Sequence, residues 1–96
     1  MRREDFIKLL ESHRAEIRAL GVKSLAVFGS VSRDQAGPDS DVDMLVAFEN
    51  SPSFDKFMDL KFFLEDLLKR KVDLVTEAAL KPRMKPVVER EAIRVA

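Results

Sequence analysis

Three short, mostly apolar runs, each about as long as a β-strand, constrain the fold more than any other feature of the chain. They span residues 24–28, 41–48 and 72–76. The second run alternates polar and apolar residues at first and then becomes wholly apolar, which is typical of a strand buried in a sheet. The sequence therefore predicts three main strands.

Two longer segments carry apolar side chains at the 3.6-residue spacing of an amphipathic helix. The first spans residues 3–20 and stops at Gly21, because glycine commonly ends helices. The second spans residues 54–69. Ser53 supplies a capping hydroxyl at its start, and basic residues 69–71 suit the negative end of its dipole. Both helices are expected to pack on the sheet.

The C-terminal segment has a mixed pattern. Pro82 and Pro86 argue against one continuous helix, so we expect a short turn near Pro82 and a helix from about Pro86 to Ala92. Residues 93–95 are expected to add a short edge strand. The order of elements predicts an α/β (α+β) fold with helices packed on a small sheet, in a single domain spanning residues 1–96.

A small-residue loop and two carboxylates connect the first two predicted strands. Gly29 allows the backbone to come close to a ligand, and the amides after Ser30 can point at phosphate oxygens. A turn signal follows at residues 37–39. Asp41 and Asp43 are two apart on a strand and project to the same side. Adjacent carboxylates repel unless a cation lies between them, so the pattern predicts a site for magnesium and a nucleoside triphosphate.

A wider pattern of small, basic and acidic residues carries a family resemblance: Gly29-Ser30-x-x-Arg33-x-x-Ala36-x-x-x-Ser40-Asp41-x-Asp43-x-x-Val46. It resembles the signature of the polymerase-beta-type nucleotidyltransferase superfamily, and most of all its minimal nucleotidyltransferase branch. The resemblance continues through residues 72–75, where the family carries a third carboxylate and this chain has Asp73. The chain departs from the pattern at Asp34, where relatives often have glycine. The resemblance implies a nucleotidyltransferase fold with a mixed sheet.

The resemblance also implies that Asp41, Asp43 and Asp73 are the catalytic and metal-binding residues. Asp41 and Asp43 would bridge two Mg²⁺ ions, and Asp73 would complete the shell of the second ion and could assist removal of a proton. ATP would be the nucleotide donor. Two alternatives stay open. Asp41 and Asp43 could be solvated carboxylates at a strand end, and Asp73, in a run that reads as buried, could form a salt bridge with Lys69 or Arg70.

Four residues are predicted to bind the nucleotide: Gly29, Ser30, Arg33 and Ser40. Gly29, Ser30 and the amides after them would hold the β- and γ-phosphates. Ser30 could also cap a short helix beginning near Val31, and the two roles are compatible. Arg33 could neutralise the triphosphate or act as a structural clamp, while Ser40 is expected to fix the loop by hydrogen bonding.

Composition excludes several other classes of protein. The chain has no cysteine, which rules out disulfides and zinc–thiolate sites and fits a cytoplasmic location. The longest purely apolar run, residues 44–48, is too short to cross a membrane. Acidic residues without any basic residue lie between Arg33 and Lys56, so direct binding of nucleic acid is not expected.

The aromatic side chains have simpler interpretations. His13 is the single histidine, and we expect it to be a packed or half-exposed residue of the first helix rather than a catalyst. The phenylalanines at 54, 57, 62 and 63 are expected to belong mainly to the core. Because they cannot all face one sheet, a partner-binding surface is the alternative for some of them.

The minimal branch resembles antitoxins that pair with a helical ribonuclease toxin of the HEPN type. The resemblance implies transfer of AMP from ATP onto that toxin within a hetero-oligomer, because the chain has no helical acceptor-binding domain like those of larger relatives. Two alternatives remain: a non-catalytic antitoxin that neutralises its partner by binding, and a subunit of a small-molecule nucleotidyltransferase. The acceptor residue, the base preference and the stoichiometry stay open.

Overall fold

One mixed sheet organises the fold in the computed structural model, which describes residues 2–29, 31–32, 37 and 41–96. Within these residues the sheet has four strands in the order β3-β2-β1-β4. β1 pairs antiparallel with β2 and β4, and β2 pairs parallel with β3. The predicted mixed sheet is therefore confirmed. The strands are β1 (Val22–Phe28), β2 (Val42–Phe48), β3 (Val72–Thr76) and β4 (Ile93–Arg94).

The first strand begins two residues earlier than predicted, and its pairing there is irregular. The register of β1 against β2 shifts between Val22 and Ser24. An extra residue of this kind changes which side chains face the core. As a result Val22 and Leu25 are both buried although they are three positions apart.

The predicted single N-terminal helix is wrong, because the chain forms two helices, α1 (Arg3–Ser12) and α2 (Arg14–Ala19). The Leu9 carbonyl accepts a hydrogen bond from the Ser12 hydroxyl at 2.7 Å and lies 2.9 Å from Nδ1 of His13. The backbone N–H of His13 donates instead to Leu10 at 3.1 Å, which tightens the turn. Side chains that compete for backbone groups in this way interrupt a helix.

Helix α3 (Phe54–Leu68) has the predicted capping residue, since the Ser53 hydroxyl accepts from the Lys56 N–H at 3.2 Å. Its buried stripe is Leu60, Leu64 and Leu68. Because of helical spacing, Phe62 lies opposite this stripe and is 58% exposed.

The prediction that the phenylalanines of α3 fill the core is only partly right. Phe57 and Phe63 pack against the core, whereas Phe54 is 76% exposed and is not part of it. His13 is partly buried beside Phe63, with 6.5 Å between the ring centroids, as expected for a packing residue. The suggestion that the exposed phenylalanines bind a partner stays a prediction.

The C-terminal segment follows the predicted pattern closely. Two short 3₁₀ turns, Glu77–Ala79 and Pro82–Met84, precede helix α4 (Lys85–Glu91). The chain then passes along β1, where the N–H of Val95 donates to the Leu25 carbonyl at 2.8 Å. The predicted edge strand is thus confirmed.

The helices cover the two faces of the sheet unequally. On one face, in-register side chains from three strands join buried residues of α1, α2 and α3 in the main core: Phe6, Leu10, Ile17, Leu25, Val27, Met44, Val46, Leu60, Leu64 and Leu74. The other face carries Asp43, Leu45 and Asp73, and residues of the first 3₁₀ turn and of α4 lie beside Leu45. Among the described helices, none combines the length and apolar character that a membrane span needs.

Candidate functional site

Two of the predicted catalytic aspartates, Asp43 and Asp73, lie side by side on neighbouring strands. They are Cα partners in the parallel register of β2 and β3. Their sequence neighbours Met44 and Leu74 are buried in the core, so both carboxylates point to the opposite, more open face. Paired strands lie about 4.8 Å apart, which is close enough for two carboxylates to share one cation.

The environment of Asp73 differs from the predicted one. The run around it was expected to be buried, but Asp73 is exposed while Val72 and Leu74 are buried. The strand alternates because one face of the sheet is covered by helices and the other is largely open. An exposed carboxylate keeps its hydration, so Asp73 needs no buried counter-ion and is accessible to a ligand.

The predicted alternative partners of Asp73 make other contacts. The Lys69 ammonium lies 3.6 Å from the Asp66 carboxylate. The Arg70 guanidinium donates a hydrogen bond to the Gly37 carbonyl at 2.6 Å. These contacts give no support to the interpretation of Asp73 as a structural ion-pair residue.

Asp41 lies immediately before β2 and is exposed. Within the part of the chain that the structure describes, no three histidine, aspartate or glutamate side chains form a group that could hold a metal ion. The sheet register thus brings Asp43 and Asp73 together but does not gather Asp41 with them. The assignment of all three as metal ligands stays a prediction.

Gly29 directly follows β1 and lies next to the Asp43 side chain. The register of β1 and β2 pairs Phe28 with Asp43, and Gly29 follows with φ +74°. A Cβ atom at position 29 would lie 3.2 Å from Cγ of Asp43 and closer still to its Oδ2 atom. Glycine is therefore favoured at position 29 for two reasons: the left-handed backbone, and the Asp43 carboxylate, which a side chain would have to displace.

The turn after Gly29 is fixed by a local hydrogen bond. The Ser32 hydroxyl donates to the Gly29 carbonyl at 2.8 Å. Val31 and Ser32 are buried, with 1% and 6% of their surfaces exposed. Val31 and Ser32 are therefore packed against the protein.

Several predictions for this loop lie outside the described residues. These are the nucleotide-binding roles of Ser30, Arg33 and Ser40, the course of the chain after Val31 and Ser32, and most of the turn signal at 37–39. They all stay predictions.

Sequence reasoning missed two arginines that contact this loop. The Arg3 guanidinium donates to the Ser32 carbonyl at 3.1 Å, and Arg70 donates to Gly37 as described above. These contacts join residues 29 and 33 positions apart. Motif spacing and local periodicity contain no signal for pairs so distant, so only the fold reveals them.

A cavity on the same open face was also missed. It has a volume of about 300 Å³ and is lined by Leu45, Leu80 and Val88, with Glu77, Lys85 and Glu89 around them. Leu45 is two residues along β2 from Asp43, so the cavity lies beside the carboxylates. Apolar walls with a few charged groups suit a flat organic group. A larger, open groove of about 490 Å³ lies at the far ends of β2 and β3, away from the carboxylates.

Comparisons with known proteins agree with the geometry. Residues 10–95 match the family model of the nucleotidyltransferase domain. The protein adenylyltransferase MntA of Thermococcus cleftensis is 44% identical over 93 residues, which cover 96% of this chain and 94% of the relative. A solved structure assigned as a minimal nucleotidyltransferase has a TM-score of 0.84 and 41% identity, with coverage of 97% of this chain and 95% of that one.

A more distant solved structure has the same fold. It is a chain from the complex between the tri-AMPylated HEPN toxin of Shewanella oneidensis and its MNT antitoxin. Its TM-score is 0.67 at 19% identity, and the match covers 94% of this chain and 71% of that chain. The resemblance inferred from the residue 29–46 pattern is thus confirmed, as is the nucleotidyltransferase fold.

Proposed function

The chain belongs to the nucleotidyltransferase domain family, and we propose that it is a metal-dependent protein adenylyltransferase that acts as an antitoxin. In this proposal it transfers AMP from ATP onto a helical HEPN-type toxin and silences it. The observation that carries the proposal is the pairing of Asp43 with Asp73 on the open face, next to Gly29. A protein that acted by binding alone would have no need for two adjacent carboxylates on an open face, because they repel each other.

Two of the three proposed donors, Asp43 and Asp73, lie together on the open face and are of the chemical type that suits magnesium. Asp41, Asp43 and Asp73 supply carboxylate oxygens, which are the ligands that Mg²⁺ prefers. Gly29 has no side chain that would displace the Asp43 carboxylate. We assign Asp41 and Asp43 to both of two ions and Asp73 to the second. When bound, the ions would neutralise charge on the triphosphate and make the attacking hydroxyl more acidic.

The residues of the chain would bind ATP and handle the proton. In the proposed reaction a hydroxyl oxygen of the toxin forms a bond to the α-phosphorus of ATP. The bond from that phosphorus to the bridging oxygen breaks, and pyrophosphate leaves. Asp73 is exposed and could accept the hydroxyl proton. Gly29, Ser30 and Arg33 would hold the triphosphate, with Ser40 fixing the loop.

The relatives support a protein as the acceptor. The relative at 44% identity is named a protein adenylyltransferase, and a chain of the same fold comes from a complex with a tri-AMPylated HEPN toxin. The present sequence contains no tyrosine. A tyrosyl acceptor would therefore belong to another protein, which is consistent with a hetero-oligomer.

Co-expression with the protein encoded beside it tests the proposal. Intact mass spectrometry of that protein should show one or more added AMP groups with the wild-type chain and none with Asp43→Asn. The exposed α3 residue Asp59 provides a matched control, since Asp59→Asn removes the same charge outside the site. An unmodified but inactive toxin beside the wild-type chain would instead support neutralisation by binding.

A further inference from the structure

The cavity beside Leu45 has apolar walls from three elements of the fold. Leu45 belongs to β2, Leu80 ends the first 3₁₀ turn, and Val88 belongs to α4. Its volume of about 300 Å³ is at the lower end of the range for sites that bind small molecules. The cavity therefore suits a flat ring system rather than a whole nucleotide.

Three charged side chains complete the lining of this cavity. Glu77, Lys85 and Glu89 are all exposed, so they are accessible to a ligand. Lys85 and Glu89 are four residues apart on α4 and therefore lie on one side of that helix. Ionised carboxylates only accept hydrogen bonds, and an ammonium group only donates them. A ring that enters the cavity thus meets both acceptors and a donor at its polar edge.

The register of the sheet places the cavity along β2 from the paired carboxylates. Asp43 and Leu45 point to the same face of the sheet and are about 6–7 Å apart along the strand. The other two residues of the proposed site lie across the strands instead. Gly29 follows β1 on one side of Asp43, and Asp73 lies on the β3 side.

This arrangement gives the nucleotide a direction. In the proposed reaction, pyrophosphate leaves on the Gly29 side of Asp43 and the acceptor hydroxyl attacks on the Asp73 side. The attacking and leaving oxygens are roughly in line through the phosphorus, so this line runs across the strands. The oxygen that joins the α-phosphorus to the ribose lies off the line. The ribose can therefore extend along β2 towards Leu45.

We infer that the cavity beside Leu45 binds the adenine base of ATP. The inference rests on the proposed function and adds base-binding residues to it. The three apolar side chains would contact the ring. The amino group of adenine would donate to Glu77 or Glu89, and Lys85 would donate to a ring nitrogen. Guanine has the acceptor O6 where adenine has its amino group, so it would place an oxygen against the carboxylates. The site therefore selects adenine over guanine.

Titration calorimetry with ATP and with inorganic tripolyphosphate, each with Mg²⁺, separates the base from the phosphates. Leu80→Ser removes part of an apolar wall and should weaken ATP binding about tenfold, with tripolyphosphate binding unchanged. Leu80 is not part of the main core, so the fold should be retained, which circular dichroism checks. Met58→Ser, on α3 at the other face of the sheet, is the matched control and should leave both affinities unchanged.

Glutamine substitutions test the selection of the base. In the double variant Glu77→Gln with Glu89→Gln, the amides can donate as well as accept, so the preference for ATP over GTP should fall about fivefold. Both positions are exposed, so this variant tests the inference even if Leu80→Ser fails to fold. Glu11→Gln, at an exposed position of α1, is the control and should keep the wild-type preference.

The outcomes distinguish this inference from the proposed function. Unchanged ATP affinity in the folded cavity variants would overturn the inference alone, and so would an equal loss of ATP and tripolyphosphate binding. Unchanged ATP affinity with a raised KM for the protein partner would also overturn it, because the cavity would then bind the acceptor. A wild-type chain that binds neither ATP nor tripolyphosphate would overturn both the inference and the proposed function.

Discussion

The Asp43 carboxylate occupies the space where a side chain at Gly29 would be, with its Cγ atom 3.2 Å from the position of a Cβ at residue 29. The residue that follows β1 is therefore in contact with a side chain near the start of β2. The loop that leaves β1 begins beside the carboxylate that the family pattern places on β2. Gly29 and Asp43, which belong to the two parts of the proposed site, are thus in direct contact.

Replacement of Gly29 should cost more stability than replacement of a glycine with the same backbone strain. Gly21 has φ +88°, and no described atom lies within 4 Å of the position that a Cβ would take there, so Gly21→Ala should cost about 1 kcal/mol from strain alone. Gly29→Ala should cost about 2 kcal/mol or more, because strain and the collision with Asp43 add. Urea unfolding of both variants measures the difference. In an Asp43→Ala background the two glycine substitutions should cost about the same, and a persistent difference would contradict the packing explanation.

Removal of the first two carboxylates should abolish magnesium-dependent chemistry. We expect Asp41→Asn and Asp43→Asn each to lose Mg²⁺-dependent ATP binding or turnover while the fold is retained, because each removes a proposed ligand of both ions. Calorimetric titration measures ATP binding, and circular dichroism checks that the fold is retained. Transfer activity retained by both folded variants would refute the assignment of these residues.

Asp73 should affect turnover more than affinity. Because it is assigned to only one of the two ions, Asp73→Asn should lower kcat strongly and change ATP affinity little, a pattern that indicates an interaction made mainly in the transition state. Steady-state kinetics together with ATP titration measures the two effects. A parallel fall of both, or no change in either, would favour a structural role.

The charge of Asp73 should also affect the metal-free protein. Asp43 and Asp73 are directly opposite in the sheet, and like charges in such pairs are destabilising. In EDTA, Asp73→Asn should raise Tm by up to about 3 °C. Asp59→Asn should leave Tm unchanged in the same scan. A lower Tm for Asp73→Asn would show that this carboxylate has a stabilising partner.

Modification should occur only in trans. The chain has no tyrosine, and its hydroxyl side chains are Ser12, Ser24, Ser30, Ser32, Ser40, Ser51, Ser53 and Thr76. Given ATP and Mg²⁺, the purified chain alone should keep its unmodified mass. Stoichiometric AMP on any of these serines would leave the chemistry in place and replace the antitoxin explanation with self-modification.

The parts of this structure that were predictable from the sequence depend on local spacing. The alternation of Asp41, Val42 and Asp43 predicted a strand with both carboxylates on one side, and the pattern from Gly29 to Val46 identified the family. The spacing of apolar residues does not reveal that the Ser12 and His13 side chains compete for the Leu9 carbonyl, so the break in the helix at His13 was missed. The exposure of Asp73 was missed for a related reason. A short apolar run does not reveal which face of a strand the helices leave open.

The contacts of Arg3 and Arg70 mark the limit of sequence reasoning more clearly. Both side chains donate hydrogen bonds to backbone carbonyls. Because every residue has a backbone carbonyl, the sequence does not indicate which residue accepts the bond. The same holds for the cavity beside Leu45, whose walls come from β2, a 3₁₀ turn and α4. Only the assembled sheet brings these pieces together.

Transfer of label from ATP to the purified partner tests the central claim most directly. With Mg²⁺ and wild-type chain, label in the α-phosphate should appear on the partner and label in the γ-phosphate should not. Asp43→Asn should transfer none, and Asp59→Asn should transfer as much as the wild type. Loss of the partner's ribonuclease activity without any α-phosphate label, or full labelling by Asp43→Asn, would contradict the account.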